Sequence, residues 1–160
     1  MSRPELPLKG HCRCGQVQLE VKAQPRLSVA CHCRGCQRMT ASAFSMSEGY
    51  PSGAFRVTEG ETVIGGMHGP TRHYFCDYCK SWLYTEPEGI ADFVNVRSTL
   101  FDEPLTERPF VETYMAEGLP WARTRAEHSY AALPEMAEWP HLIQAYAERN
   151  RAFAKEEFNP

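Results

Sequence analysis

Seven cysteines, grouped in three clusters, are the residues of this chain best suited to chemistry. The clusters are Cys12-Arg13-Cys14, Cys31-His32-Cys33-Arg34-Gly35-Cys36 and Cys76-Asp77-Tyr78-Cys79. In an extended segment residues i and i+2 project to the same side, and in a turn that opens a helix residues i and i+3 share a face. Each cluster can therefore hold a metal ion, and these spacings are typical of zinc ligands.

The spacings leave two ways to divide the thiols between metal ions. Cys33 and Cys36 could join Cys76 and Cys79 in a ribbon-like site, which would leave the other three cysteines without partners. Alternatively, the first and last clusters form a site of four thiolates, and Cys31, Cys33 and Cys36 form a site of three. We favour the second division because three ligands from one short segment converge with little rearrangement of the chain. Four thiolates close a structural zinc site, whereas three leave a position for water or substrate.

Composition places this chemistry in a globular domain. The chain has 160 residues, of which 42% are hydrophobic, so it fits one domain, or one domain with a short appendage. Its formal charge of -3 predicts neither nucleic acid nor an anionic membrane as a partner. Since we find no apolar signal core and no stretch of membrane-spanning length, we expect a cytoplasmic location. Thiols stay reduced there, so clustered cysteines indicate metal or catalytic sites.

Short strands are predicted to position the cysteines. Val17, Leu19 and Val21 alternate with polar residues, which predicts a half-buried strand after the first cluster. Residues 27–32 predict a strand that carries the second cluster at its end, and residues 71–75 predict one that leads into the third. Further short runs rich in aromatic and β-branched residues, at roughly 8- to 12-residue spacing, indicate an all-β fold with two packed sheets.

Two turns and several core aromatic residues are also predicted. Residues 55–58 and 62–64 flank Glu59-Gly60-Glu61, which predicts a hairpin. Residues 48–53 contain Gly and Pro, which predicts a turn directly after a strand over residues 42–46. Four aromatic residues are predicted to lie in the core: Trp82, Tyr84, Phe93 and Tyr114.

The C-terminal part has a different pattern. From Pro140 onward, apolar residues recur at helical spacing, with charged residues on the opposite face: Leu142, Ile143, Tyr146 and Phe153. Proline is well suited to the first turn of a helix. Residues 122–160 are therefore predicted to form an extension that is helical from about residue 140. It would pack on the β domain or be exchanged between two copies, so it is also a candidate homodimer surface.

The cysteine clusters belong to longer motifs. These are Gly10-His11-Cys12-Arg13-Cys14-Gly15, Cys31-His32-Cys33-Arg34-Gly35-Cys36, Ala41-Ser42-Ala43-Phe44, Phe75-Cys76-Asp77-Tyr78-Cys79, Val94-Asn95-Val96-Arg97, Leu100-Phe101-Asp102 and Leu119-Pro120-Trp121. Together they resemble the glutathione-dependent formaldehyde-activating enzyme (GFA) family over about residues 8–121. The resemblance defines this range as a zinc-binding domain, followed by the extension.

The resemblance implies an Mss4-like all-β fold of two packed antiparallel sheets and two zinc ions per chain. It assigns a structural zinc to four residues: Cys12, Cys14, Cys76 and Cys79. It assigns a catalytic zinc to the other three: Cys31, Cys33 and Cys36. The implied activity is that of a carbon–sulfur lyase, which joins glutathione as co-substrate to formaldehyde and gives S-hydroxymethylglutathione, or which uses a related thiol or aldehyde. The implied partner is a small-molecule thiol adduct.

Two residues depart from the family pattern. Lys80 follows the last cluster, where Gly is usual because Gly tolerates the left-handed turn that directs backbone N–H groups at sulfur. Ala41 stands where the family often has Gly, near the expected pocket. We expect a looser turn at Lys80 and an altered pocket shape, with the metal ligands unchanged.

A mechanism follows from three thiolates on Zn²⁺. The complex of Zn²⁺ with three thiolates has a net charge of -1. A substrate thiol that enters the fourth position would ionise and could add to an aldehyde carbonyl. Side chains near in the sequence that could move protons are His32, His68, His73, Arg38 and Tyr74. Arg38 and Arg97 could hold a substrate carboxylate through paired hydrogen bonds. His32 lies between two ligands, so we expect it to point away from them as a structural histidine.

Two other functions stay open at the level of the sequence. A non-catalytic Mss4-like binding module stabilised by zinc would need a protein side chain as the fourth ligand of the three-cysteine site, and His11, His68 or His73 could supply it. A zinc-ribbon nucleic-acid binder would need a basic surface, which the acidic balance of the chain disfavours. The identity of the fourth ligand therefore separates the enzyme from the binding module.

Overall fold

A computed structural model describes residues 5–103 and 107–156, apart from the side chains of Met67, His68 and residues 152–156. The strands in these ranges are β1 (Leu8–His11), β2 (Gln18–Val21), β3 (Leu27–Cys31), β4 (Ser45–Pro51), β5 (Phe55–Glu59), β6 (Thr62–His68), β7 (Thr71–Cys76), β8 (Trp82–Glu86), β9 (Phe93–Arg97), β10 (Val111–Thr113) and β11 (His128–Ser129). The helices are α1 (Arg34–Thr40) and α2 (Trp139–Glu156).

The strands form two sheets. One contains β1, β2 and β5, and the other has the order β11-β10-β3-β4-β9-β8-β7-β6. Paired neighbours are antiparallel, except that β10 runs parallel to both β3 and β11. The predicted all-β class with two sheets and a C-terminal helix is confirmed, and the parallel pairs at one side of the large sheet are an addition to it.

The main core lies between the two sheets. Val17, Leu19 and Val21 are fully buried there, as their alternation predicted, and they pack with residues of the large sheet such as Tyr50 and Val96. Burying each aliphatic side chain of this size contributes about 1.5–3 kcal/mol. Cys12 and Cys76 belong to the same buried cluster. The first and third cysteine clusters are therefore anchored in the core by Cys12 and Cys76, with Cys79 packed against it and Cys14 exposed.

The predicted hairpin at residues 59–61 is wrong. β5 pairs with β2 in the small sheet, whereas β6 pairs with β7 in the large one. Gly60 has a φ of 85°, and a side chain there would overlap with the backbone carbonyl of Gln16. The turn therefore carries the chain from one sheet to the other. A local turn signal does not specify which sheet the next strand joins.

The predicted turn at residues 48–53 is also misplaced, because β4 continues to Pro51 between β3 and β9. Gly49 was interpreted as a turn residue, but it lies within the strand, where the Phe93 ring covers it. Any side chain at this position would overlap with that ring. Gly inside a strand often marks such a close approach.

The C-terminal helix is confirmed and begins at Trp139. Leu142 and Tyr146 of α2 are buried against Leu27, Phe110 and Val111 of the same chain. The rings of Tyr146 and Phe110 lie 5.3 Å apart. The predicted helical position of Phe153 falls outside the described side chains. Among the described residues, no helix has the length and hydropathy needed to cross a membrane.

Candidate metal centres

The four-cysteine centre (Cys12, Cys14, Cys76 and Cys79) joins chain segments that are far apart in the sequence. Its four Sγ atoms lie within 4.8 Å of one another. The Cys12–Cys14 and Cys14–Cys76 sulfur distances are 3.3 and 3.9 Å. Thiolates bound tetrahedrally to one zinc, with Zn–S bonds near 2.3 Å, would be about 3.8 Å apart. The donor set therefore fits zinc in type, number and spacing.

Backbone N–H groups point at the sulfur atoms of this centre. Val17 donates to Cys12 Sγ at 3.3 Å, and Cys79 donates to Cys76 Sγ at 3.4 Å. Such bonds favour the ionised form of a thiol. Lys80 adopts the left-handed conformation with a φ of 55° and donates to the Cys76 carbonyl at 3.1 Å. The turn is thus complete with Lys in place of Gly, at a strain of roughly 1–2 kcal/mol.

The three-cysteine centre (Cys31, Cys33 and Cys36) comes from one short segment. Cys31 ends β3, Cys33 caps α1, and Cys36 lies in the first turn of α1. Their Sγ atoms lie within 4.8 Å of one another, and the Cys36 N–H donates to Cys33 Sγ at 3.3 Å. The division of the cysteines into four and three, preferred from the sequence, matches the two groups of ligand atoms in the structure. All seven cysteines are free thiols.

The three thiols cannot easily ionise together without a cation. Hydrogen bonds from Cys31 and Cys36 hold the pKa of Cys33 well below its ordinary value. The same interactions, first with Cys31 and then with Cys33, raise the pKa of Cys36. One thiolate is therefore stabilised by two neutral thiols, and further negative charge is opposed. A divalent ion would remove this opposition, because metal ligation deprotonates coordinating thiols.

No fourth ligand atom from a described side chain belongs to the three-cysteine group. His11 lies beside the other centre, with Nδ1 at 2.8 Å from the Cys12 carbonyl oxygen. His73 is buried in the large sheet, with Nδ1 at 2.8 Å from Thr85 Oγ1. Neither histidine is part of the group of ligand atoms formed by the three thiols, and the side chain of His68 lies outside the described residues.

His32 is fully buried, although it lies between two ligands in the sequence. Its ring packs against Phe44 at a centroid distance of 4.9 Å, and Nε2 lies 3.7 Å from a Glu112 oxygen. Burial lowers the pKa of His32, which favours the neutral ring. These contacts agree with the structural role expected for this histidine, although neither ring nitrogen has a hydrogen-bond partner among the described residues.

A cleft of about 640 Å³ lies along α1, the helix that carries Cys36, and none of the three cysteines is among its lining residues. Its lining includes Arg34, Gln37, Arg38, Ala41, Leu119 and Trp121. The first four of these are spaced so that they share one face of the helix. Arg38 makes no ion pair with any described residue. Trp121 is 78% exposed. The cleft therefore presents cationic and aromatic groups along α1, and one of its lining residues, Arg34, directly follows Cys33 in the chain.

Two of the other predicted substrate or proton-transfer residues lie elsewhere. Tyr74 packs in the core between the sheets, where its hydroxyl donates to Glu86 at 2.9 Å. Arg97 is only 7% exposed, and its guanidinium lies over the Trp82 ring. Tyr74 is therefore not part of the three-cysteine centre, and Arg97 is not open to a substrate in the cleft.

Tyr114 is a residue whose position the sequence did not reveal. It was interpreted as a core aromatic residue, but it follows Thr113, which pairs with Cys31 across β10 and β3. Its φ of 57° is unusual for a bulky residue and is the kind of strain often found at functional sites. Burial raises the pKa of Tyr114, and so do the negative charges of Cys31 and Cys33. No local sequence pattern signals this position.

The sequence of residues 7–117 matches the profile of the family described as "Glutathione-dependent formaldehyde-activating enzyme". The chain belongs to this family. The matched GFA range contains all seven cysteines, and it ends before Leu119-Pro120-Trp121 and before the C-terminal helix.

A solved structure with the same fold is available for comparison. It is the crystal structure of a Rhodobacter sphaeroides protein from a structural genomics programme, with a TM-score of 0.52 and 19% sequence identity. The alignment covers 61% of this GFA-family chain and 91% of the other chain. At this identity the likeness concerns the fold alone. No curated protein matches the chain significantly.

Proposed function

We propose that this GFA-family chain is a zinc-dependent carbon–sulfur lyase that acts on a thiol adduct. The proposed reaction joins glutathione and formaldehyde to S-hydroxymethylglutathione, or uses a related thiol and aldehyde. The observation that carries the proposal is the three-cysteine centre, which has no fourth ligand among the described side chains. An open cleft along the helix that carries Cys36 supports it. Three protein ligands are typical of catalytic zinc sites.

The two centres have different proposed roles. Cys12, Cys14, Cys76 and Cys79 would hold a structural zinc, and the three-cysteine centre would hold a catalytic one. Zinc bound there would supply the positive charge that ionises a substrate thiol and orients it towards an aldehyde. The thiols of Cys31, Cys33 and Cys36 would fix this position, as β3 and α1 hold them in place.

The cleft supports a thiol that carries carboxylate groups. Helix α1 has seven residues and is about 10 Å long. An extended tripeptide is also about 10 Å long. A glutathione that lies along the helix could therefore reach both Arg34 and Arg38, which would pair with its carboxylates. The exposed ring of Trp121 would cover the apolar part of the ligand.

Tyr114 replaces Tyr74 as the tyrosine candidate for proton transfer, because its hydroxyl lies within the electrostatic reach of the three thiols. The alternative function, a zinc-stabilised binding module, would require a fixed fourth ligand, and no observation on the described side chains favours it. A cytoplasmic location, the division at residues 121 and 122, and a homodimer formed through the extension stay predictions. Light scattering on the purified chain tests the dimer.

Cobalt substitution tests the proposed function. A fourth sulfur ligand should increase thiolate-to-cobalt charge transfer when glutathione is added, and formaldehyde should then react faster than in the uncatalysed mixture. Cys33→Ser should abolish the rate difference. Arg38→Gln should raise the KM for glutathione about 10-fold or more, since a charged hydrogen bond contributes roughly 1.5–3 kcal/mol. A small thiol without carboxylates should show no such change.

Two results would contradict the proposal. A cobalt spectrum that responds to no thiol, together with a protein side chain as fourth ligand, would assign the chain to the binding-module class. Thiol binding without any acceleration of the aldehyde reaction would contradict the lyase activity. Arg56→Gln is a suitable control for the Arg38 variant, because Arg56 pairs with Glu20 in the small sheet, away from the cleft.

A further inference from the structure

Arg97 is a buried cation for which no carboxylate partner is present among the described residues. It is the last residue of β9, and it is 7% exposed. No described Asp or Glu forms an ion pair with it, and its Nε has no hydrogen-bond partner. Burying a charge without an opposite charge is costly. A nearby negative group other than a described carboxylate would therefore stabilise this guanidinium.

The register of the large sheet directs Arg97 towards the three-cysteine centre. Strand β4 lies between β3 and β9, where Ser45 pairs with Cys31 and Ser47 pairs with Arg97. Directly paired residues project to the same face, and so do residues i and i+2 of one strand. Arg97 and Cys31 therefore share a face of the sheet, two strands and two residues or about 12 Å apart, a separation that the long arginine side chain shortens.

The Trp82 ring fixes the position of the guanidinium. The central carbon of the guanidinium lies 4.0 Å from the ring centroid, which is the geometry of a cation–π contact. A contact of this kind stabilises a cation but does not neutralise it. Trp82 itself lies at the start of β8 and is buried, so the arrangement is held by the sheet.

The charges that act on Arg97 are those of the thiols. Burial lowers the pKa of Arg97 to about 10, whereas Cys36 and Cys31 raise it when they are ionised, as they would be on a metal. The guanidinium therefore stays protonated near neutral pH, and Arg97 acts as a fixed positive charge.

We infer that Arg97 is the counter-charge of the three-cysteine centre, a buried positioning residue that stabilises the bound metal and the thiolate of the substrate without touching the substrate. This inference rests on the proposed metal site. Three thiolates on Zn²⁺ carry a net charge of -1, and a fourth thiolate makes it -2. A nearby cation stabilises both states, and it stabilises the second more because the interaction scales with the charge.

Zinc release from three variants tests this inference. Competition with a chelator should remove zinc from wild-type protein in two phases, the weaker one from the three-cysteine centre. Arg97→Gln should lower the zinc affinity of the three-cysteine centre by about 10- to 100-fold, as is usual when a residue that supports metal ligands is lost. The affinity of the four-cysteine centre should be unchanged. Arg97→Lys keeps the charge, and its zinc affinity at the three-cysteine centre should stay within about threefold of that of the wild type. The control Arg56→Gln should change neither phase.

The outcomes separate the inference from the proposed function. A single zinc in the wild-type protein would overturn the proposed metal site. Two zinc ions in wild type, with both phases unchanged or equally weakened in Arg97→Gln, would overturn only the role of Arg97. If Arg97→Gln does not fold, Arg97→Lys decides the question. A loss of more than tenfold in the zinc affinity of the three-cysteine centre, although the charge is retained, would contradict a counter-charge. Cobalt spectra of the Lys variant with glutathione provide a second readout.

Discussion

The four-cysteine and three-cysteine centres have similar ligands but are built in opposite ways. The first takes Cys12 and Cys76 from the core between the sheets, and these residues are 64 positions apart in the chain. The second takes all its ligands from the six residues that run from the end of β3 into α1. A metal at the first centre cross-links distant segments, whereas a metal at the second only completes a local turn. The first is therefore suited to stability and the second to exchange of a ligand.

The backbone shows a second contrast. Lys80 holds the left-handed turn of the four-cysteine centre, and Ala41 adopts the same conformation at the end of α1, beside the cleft. Strain at Lys80 affects the closed site, whereas strain at Ala41 affects the wall that a substrate would contact. One departure from the family pattern thus lies at the four-cysteine centre, and the other lies beside the cleft.

The largest expected effect comes from removing one ligand at each centre. Cys76→Ser should lower the free energy of unfolding by several kcal/mol. Metal binding at a structural site contributes to folding, and its binding free energy is roughly 10–16 kcal/mol. Cys33→Ser should leave a folded protein that has lost the weaker zinc. Urea unfolding and elemental analysis of both variants measure this. Equal destabilisation by the two substitutions would contradict the difference between the centres.

A pH effect that belongs to neither centre is expected to be smaller. Burial raises the pKa of Glu48 to about 7, and Tyr50 donates a hydrogen bond to it. The folded-state pKa lies above the ordinary value of 4.5, so the native protein keeps a proton that the unfolded chain releases. The free energy of unfolding should therefore fall by about 3 kcal/mol as the pH rises from about 4.5 to above 7.

Glu48→Gln removes this carboxylate and isolates its effect from that of the metals. Relative to wild type, the variant should gain about 3 kcal/mol between pH 5 and pH 8. Zinc binding strengthens with pH in both proteins alike, so the difference between their unfolding curves reports Glu48 alone. A stability difference that is the same at both pH values would show that this carboxylate titrates normally.

The smallest expected effect is that of relieving backbone strain. Lys80→Gly and Ala41→Gly should each stabilise the fold by up to about 1 kcal/mol, because Gly adopts the left-handed conformation without a steric cost. Lys22→Gly serves as the control and should destabilise, since Lys22 has an ordinary φ. Only Ala41→Gly should also change the KM for a thiol. A destabilised Lys80 variant would mean that the lysine side chain contributes more than its turn costs.

The sequence predicted the features that depend on short spacing. The C-x-C and C-x-x-C intervals identified the cysteines that come together in the structure, and the motif set identified the family. The periodicity around Leu19 and Leu142 predicted a half-buried strand and the C-terminal helix. These predictions were correct because each depends on residues within a few positions of one another, where the geometry of the chain is nearly fixed. The prediction of a hairpin at Gly60 was wrong because strand pairing depends on residues that are distant in the sequence.

By itself, therefore, the sequence determined which thiols can act together and what class of fold carries them. The tertiary structure decided what surrounds those thiols. It buried Arg97 over Trp82 on the same face as Cys31, and it brought Tyr114 beside the centre through the parallel pairing of β10. These neighbours are separated from the ligands by tens of residues. Their placement follows from sheet order and register, which the packing of the whole core selects and no local pattern encodes.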